Sequence, residues 1–214
     1  MTRHLTRGGR VLAVAATLLI AVGCGGHDDH TSTATTSAPP PDPARPPALV
    51  RWEPWQGVRL PISSVDGPAR TSTDAAAGYS HTPQGAALAA IQNTVRISIA
   101  PDNSWALVAH TLLGDGPGKD DFVLNRVQYS ITGPAAPDYT PTLRGYTITR
   151  YGADRSEITV YSSYPDNSLM ANATVMAWQY GDWRLILPDP AGKTTVVSAI
   201  ADLPADLVRL EPPR

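Results

Sequence analysis

The sequence predicts an α+β domain with N-terminal helices packed on a curved antiparallel sheet, because helical and strand periodicities occupy separate halves of the chain. Leu88, Ile91 and Val95 recur at helical spacing, as do Trp105, Val108 and Leu112. From Tyr146 onward apolar residues alternate, and NATVMAWQYGDWRLILP reads as two strands around a tight turn.

The 214-residue chain opens with Arg3, Arg7 and Arg10, followed by the apolar run VLAVAATLLI from Val11 to Ile20. About ten apolar residues are too few to cross roughly 30 Å of hydrocarbon, so residues 1–23 are predicted to be a cleaved export signal rather than a retained helix. Ala21, Val22, Gly23 and Cys24 resemble the lipobox of bacterial lipoproteins, with Ala21 where leucine is usual. That resemblance implies diacylglyceryl transfer to the Cys24 thiol and cleavage that leaves Cys24 first. The product would be lipid-anchored on the outer, extracytoplasmic face of the cell membrane. The alternative is an ordinary secretory signal with a chance cysteine. Cys24 is the only cysteine, so an exported chain would otherwise carry a thiol without an intramolecular partner.

Removal of the three signal arginines leaves 14 basic against 19 acidic side chains, a formal charge of −5. A mildly acidic chain without a basic run lacks the electrostatic footprint of a nucleic-acid binder. Residues 24–50 comprise the expected lipidated cysteine and a tether rich in small, polar and proline residues, which cannot bury enough apolar surface to offset ordering entropy. Pro39 to Pro47 favours extended polyproline geometry. His27, Asp28, Asp29 and His30 have the chemistry of metal ligands, but a tetrapeptide inside a tether lacks the preorganised geometry a site needs, and no metal is expected there.

Residues 51–78 are predicted to form an extended arm packed across the domain. Prolines and glycines exclude a regular helix, while Trp52, Trp55, Val58, Leu60 and Ile62 need burial. The α+β domain then occupies residues 79–214. Thr82 is placed to cap a helix with Pro83 in its first turn. A second helix is predicted after Pro101, capped by Asp102 or Asn103, and a short third one from Phe122 to Val127 after the break GDGPGKDD. Tyr146 to Tyr151 and Glu157 to Ser163 are expected strands, joined through Gly152 to Asp154. In the aromatic hairpin, Gly181 and Asp182 suit a type II′ turn, which would pair Tyr180 with Trp183, Trp178 with Leu185 and Met176 with Leu187. Pro188 to Arg214 is expected to begin as a loop, with one helical turn in ADLPADLVRL.

The order of elements and the hairpin WQYGDWRLILP resemble the cone-shaped nuclear-transport-factor-two-like (cystatin-like) fold, over roughly residues 79 to 190. WEPWQGVRLPISSVDGPAR and GYSHTPQGAALAA are similar to uncharacterised actinobacterial membrane lipoproteins, some linked to conjugative elements. The first resemblance implies either a catalytic cone or a noncatalytic piece of a secretion or conjugation machine, and fold alone does not choose between them. A catalytic cone would need a histidine with Asp or Tyr converging inside it. His110 on the second helix and His81 before the Thr82 cap are the candidates, but His110 reads as a helix-surface residue and His81 as a turn residue stacking on Tyr79.

There is no glycine-rich phosphate loop, HExxH, GxSxG or cysteine-histidine zinc spacing, so no catalytic residue and no cofactor is assigned. Asn172, Ala173 and Thr174 match a glycosylation pattern inside a predicted strand and read as chance. Tyr139, Tyr146, Tyr151, Tyr161 and Tyr164 have the chemistry to line a ligand groove, although strand aromatics also serve sheet packing. The expected function is a noncatalytic envelope lipoprotein that binds a protein partner. The alternative is a small-ligand carrier or enzyme with a pocket in the cone, for which an enclosed cavity holding His110 would be the sign.

Overall fold

Pro83 opens the longest helix, α1 (Pro83–Ile99), in the computed structural model, which describes residues 40–213. The export signal, Cys24 and the His27 to His30 tetrapeptide lie outside the described residues. Thr82 caps α1 as expected, its hydroxyl accepting the Gly85 amide at 3.1 Å. The helix is not one-sided, because Pro83 to Asn93 are buried all round. Ala86, Ala87, Ala89 and Ala90 carry no bulk that would hold neighbours away, so α1 can be covered on both sides.

One cover is a hairpin, β1 (Val50–Trp55) and β2 (Val58–Ser63), which refines the expected arm. Gln56 and Gly57 both have positive φ, as a type I′ turn requires. Gln92, fully buried in α1, donates to Pro61 O at 2.8 Å and fastens this hairpin to the helix. The neighbouring Asn93 faces the other way and donates to Trp183 O at 3.1 Å. Two consecutive amides in one helical turn thus join both covers to α1.

The second cover is the sheet. β3 (Thr142–Tyr151), β4 (Arg155–Ser163), β5 (Leu169–Gln179) and β6 (Asp182–Ile186) pair antiparallel in sequence order. Helices and an antiparallel sheet therefore form the expected α+β class. Two register shifts in β3, near Gly145 and Arg150, mark bulges, which bend and twist a strand locally. Burial alternates along β4 at Ser156, Ile158 and Val160, so that face meets α1.

The hairpin between β5 and β6 differs from its predicted register. Tyr180 (φ 56°) and Gly181 (φ 74°) form a two-residue turn, and Trp178 pairs with Trp183 while Met176 pairs with Leu185. Two left-handed residues make a type I′ turn, whose twist matches the strands. Asp182 is thereby free to begin β6, where its carboxylate accepts the Gly78 and Tyr79 amides at 2.6 and 3.0 Å. The side-chain faces survive the change, because moving the turn by one residue re-pairs the strands in steps of two and keeps Met176, Trp178, Trp183 and Leu185 on one side.

Three other boundaries differ from expectation. Helix α2 (Trp105–Leu112) is preceded by Ser104, because the Asp102 carboxylate is engaged elsewhere. Helix α3 (Pro117–Arg126) starts within the predicted break: Pro117 suits a first turn, and Gly118 packs so tightly that a Cβ would lie 2.4 Å from Pro188 O. The C-terminal tail forms β7 (Val197–Ile200) on β5 and β8 (Val208–Arg209) on β3 instead of a helical turn. Those segments satisfy their backbone groups on open sheet edges.

The docked chain also begins earlier than the expected end of the tether. Gln84, 1% exposed, donates to Asp42 O and Arg45 O at 2.8 Å each, and Ser63 Oγ donates to Ala48 O at 2.5 Å. Pro47 is buried.

Candidate functional site

A cleft lies between the C-terminal half of α1 and the face of β4 and β5 that meets it. Its smaller part, about 230 Å³, has an apolar lining of Val58, Leu60, Ile91, Val95, Leu143 and Val160. Its larger part, about 590 Å³, has a mixed lining that includes Ile97, Leu185 and Leu187 together with the charged Arg155, Glu157 and Asp189. The larger part opens where β5 exchanges one edge partner for another, since β6 pairs as far as Val175 and β7 begins at Asn172. Thr94, Ser98 and Asn172 line both parts and form the waist between them.

The waist is polar but uncharged. Thr94 Oγ1 is buried without a hydrogen-bond partner, and the Asn172 carboxamide makes no hydrogen bond among the described residues. Ser98 Oγ donates to Thr94 O at 2.8 Å, one helical turn back. Sequence reasoning missed this waist: Asn172 drew attention only through a chance glycosylation pattern, and Thr94 carried no local signal. The alternation of β5 could have placed Asn172 on the helix-facing side with Thr174 and Met176.

Of the five tyrosines considered for a groove, Tyr139 and Tyr164 line the smaller part of the cleft. Tyr146 is fully buried, and burial pushes its phenol well above the ordinary range. Tyr161 exchanges a hydrogen bond with Thr147 at 3.2 Å, and Tyr151 OH donates to His81 O at 3.4 Å. Those three serve the sheet and its neighbours rather than the cleft.

The histidine candidates are not in the cleft. His110 is exposed on α2, and its carbonyl accepts Arg184 Nη1 at 2.6 Å. His81 is also exposed and stacks on Trp178 at 3.9 Å, not on Tyr79 as expected, because Tyr79 is drawn into the core. Among the described residues no group of three or more His, Cys, Asp or Glu could hold a metal ion. No described helix is long and apolar enough to cross a membrane.

A second surface is formed by α2 and α3. Arg126, 1% exposed, donates to Ala100 O and Tyr129 O at 2.8 Å and to Asp102 at 2.9 Å. Its guanidinium also lies over Trp105 and Tyr129, at 5.6 and 4.6 Å from the ring centres. Asp102 accepts the Ile131 amide, the Ser130 hydroxyl and Arg126, and those contacts hold its carboxyl down at about 2. This clamp fixes the end of α3 beside the start of α2. Outward from it, Leu124 is 72% and Val127 69% exposed, with Val123 and Leu107 also open to solvent.

The sequence profile of a family described as a domain of unknown function (DUF8175) matches residues 22–205. The chain belongs to that family. The DUF8175 match takes in Cys24, the proline-rich stretch, helices α1 to α3 and strands β1 to β7, and it stops short of β8. No curated protein and no solved structure matches the chain.

Proposed function

We propose that this DUF8175 protein is a lipid-anchored extracytoplasmic lipoprotein whose domain is a noncatalytic protein-binding module of the cell envelope. The observation that carries the binding part is the exposed apolar surface at the end of α3, where Leu124 and the capping Val127 stand out beside the residue that immobilises the helix, Arg126. Rigid presentation of apolar side chains lowers the ordering cost of association, and such surfaces are common at protein interfaces. The position of His110 outside the cleft removes support from the rival enzyme reading. The anchoring part rests on Cys24 and its lipobox-like surroundings. A nuclear-transport-factor-two-like cone is our reading of α1 laid against a bulged antiparallel sheet. Membership of a secretion or conjugation assembly is the expectation that the resemblance supplies for the partner.

Two experiments test the two parts. Cys24→Ala is expected to leave unprocessed precursor or to release the protein from the membrane fraction, with loss of label from a palmitate analogue. Wild-type protein that is exported yet takes no label would remove the anchor. For binding, Leu124→Asp with Val127→Asp is expected to abolish co-purification from detergent-solubilised membranes at an unchanged thermal midpoint, because both side chains are already solvated in the free domain. His110→Ala is the control and should leave capture intact. Should the double variant still capture the same partner, the α3 surface is not the interface.

A further inference from the structure

We infer that the cleft between α1 and the sheet is a binding site for an uncharged amide that carries an apolar group. This inference stands apart from the anchor and from the α3 surface. It rests on the juxtaposition of unpaired neutral polar groups at the waist with an apolar cavity on one side and, on the other, a larger mixed cavity that Arg155, Glu157 and Asp189 also line.

Buried polar groups in folded proteins are nearly always hydrogen-bonded, so Thr94 Oγ1 without a partner at the waist calls for one. Asn172 supplies what a hydroxyl alone cannot, a paired donor and acceptor held in one plane. A carboxamide matches an amide of the ligand in both senses, giving N–H to its carbonyl and taking the ligand N–H on its own oxygen. Backbone pairing on both sides, with Val160 of β4 and Val197 of β7, fixes Asn172 in place. The ligand therefore meets a side chain whose Cα cannot drift.

Within the smaller part charge selects against ions. The charged side chain lining the smaller part, Arg59, is solvent-exposed where it donates to Pro213 O at 2.7 Å, so water screens its charge. A carboxylate or ammonium pushed among Leu60, Ile91 and Val160 would lose its hydration with at most that screened charge to offset the loss. About 230 Å³ corresponds to roughly eight waters at about 30 Å³ each, room on the scale of one large apolar or aromatic group. The larger part, open at the edge of β5, takes what lies on the far side of the amide. Such an amide comes from a peptide segment of a protein or from a free small molecule, and the shared chemistry is the same.

The test is titration of the full chain in detergent, followed through the Asn172 side-chain amide resonances. The probes are N-acetyl-tryptophanamide, its free carboxylate N-acetyl-tryptophan, its free amine tryptophanamide, and an acetylated, amidated pentapeptide of four alanines around one tryptophan. The neutral probe is expected to shift the Asn172 and Thr94 resonances saturably, with both charged analogues at least tenfold weaker. Asn172→Leu, which keeps the volume and removes the amide, should weaken the neutral probe at least tenfold. Ser162→Trp, which fills the smaller cavity, should do the same at an unchanged melting temperature. A pentapeptide much tighter than the single amide identifies a protein segment as the source, and equal affinities identify a free small molecule. Saturable shifts located elsewhere, equal binding of the charged analogues, an unaffected Asn172→Leu, or no shift up to the solubility limit would each overturn the proposal.

Discussion

Trp183→Ala is expected to destabilise the domain by about 3 to 5 kcal/mol, the range for removing a large aromatic from a packed core. Trp183 is 1% exposed, and its ring meets Trp178 edge-on at 5.3 Å and His81 at 5.6 Å. Its indole N–H donates to Ser80 O at 3.0 Å, so truncation also strands a carbonyl just before α1. The neighbouring Asn93 bond to Trp183 O uses the backbone and should persist, which confines the loss to the ring. Urea denaturation read by far-ultraviolet circular dichroism gives the measurement. An unchanged midpoint would mean that the ring does not hold β6 to α1.

That hairpin also shows how far sequence reaches. Alternation placed Met176, Trp178, Trp183 and Leu185 on one face correctly, because side-chain parity depends only on the strand period. The turn was not legible, since the choice between Gly181-Asp182 and Tyr180-Gly181 is decided by Asp182 and its distant partners Gly78 and Tyr79. The α1 start was legible because Thr82 and Pro83 act within one turn. The start of α3 was not, because Pro117 and Gly118 break a helix in isolation and open one against Leu187 and Pro188. The cleft stayed hidden for a similar reason: Thr94 and Asn172 are 78 positions apart and meet only through the packing of α1 on β5.

Arg126→Ala is the second large effect, expected to cost about 2 to 4 kcal/mol. It leaves the buried Ala100 carbonyl without its donor, which costs about 1 to 3 kcal/mol, and removes the guanidinium from between Trp105 and Tyr129. Fraying should concentrate in α3, measurable as faster amide exchange from Phe122 to Tyr129 than in α1. The clamp also has a pH signature. Asp102 titrates at about 2 in the folded chain against an ordinary 3.8, so unfolding takes up a proton as the medium becomes acidic. Its stabilisation is complete above the ordinary value and is lost as pH falls through 3.8 towards 2. Asp102→Asn should flatten that part of the stability profile. A profile identical to wild type would show that Asp102 does not carry the acid sensitivity.

Gln84 gives the domain an unexpected first residue. Judged by its strands, the folded unit begins at Val50, and a protease map or an expression plan drawn from them would cut there. A fragment cut at Arg51 would lose Asp42 O and Arg45 O, the two acceptors of a side chain at the base of α1, together with Ala48, the partner of Ser63. It would uncover the first turn of the central helix and strip the Gln84 amide of both its acceptors. The minimal autonomous unit is therefore set by the reach of one glutamine, and it starts upstream of Asp42.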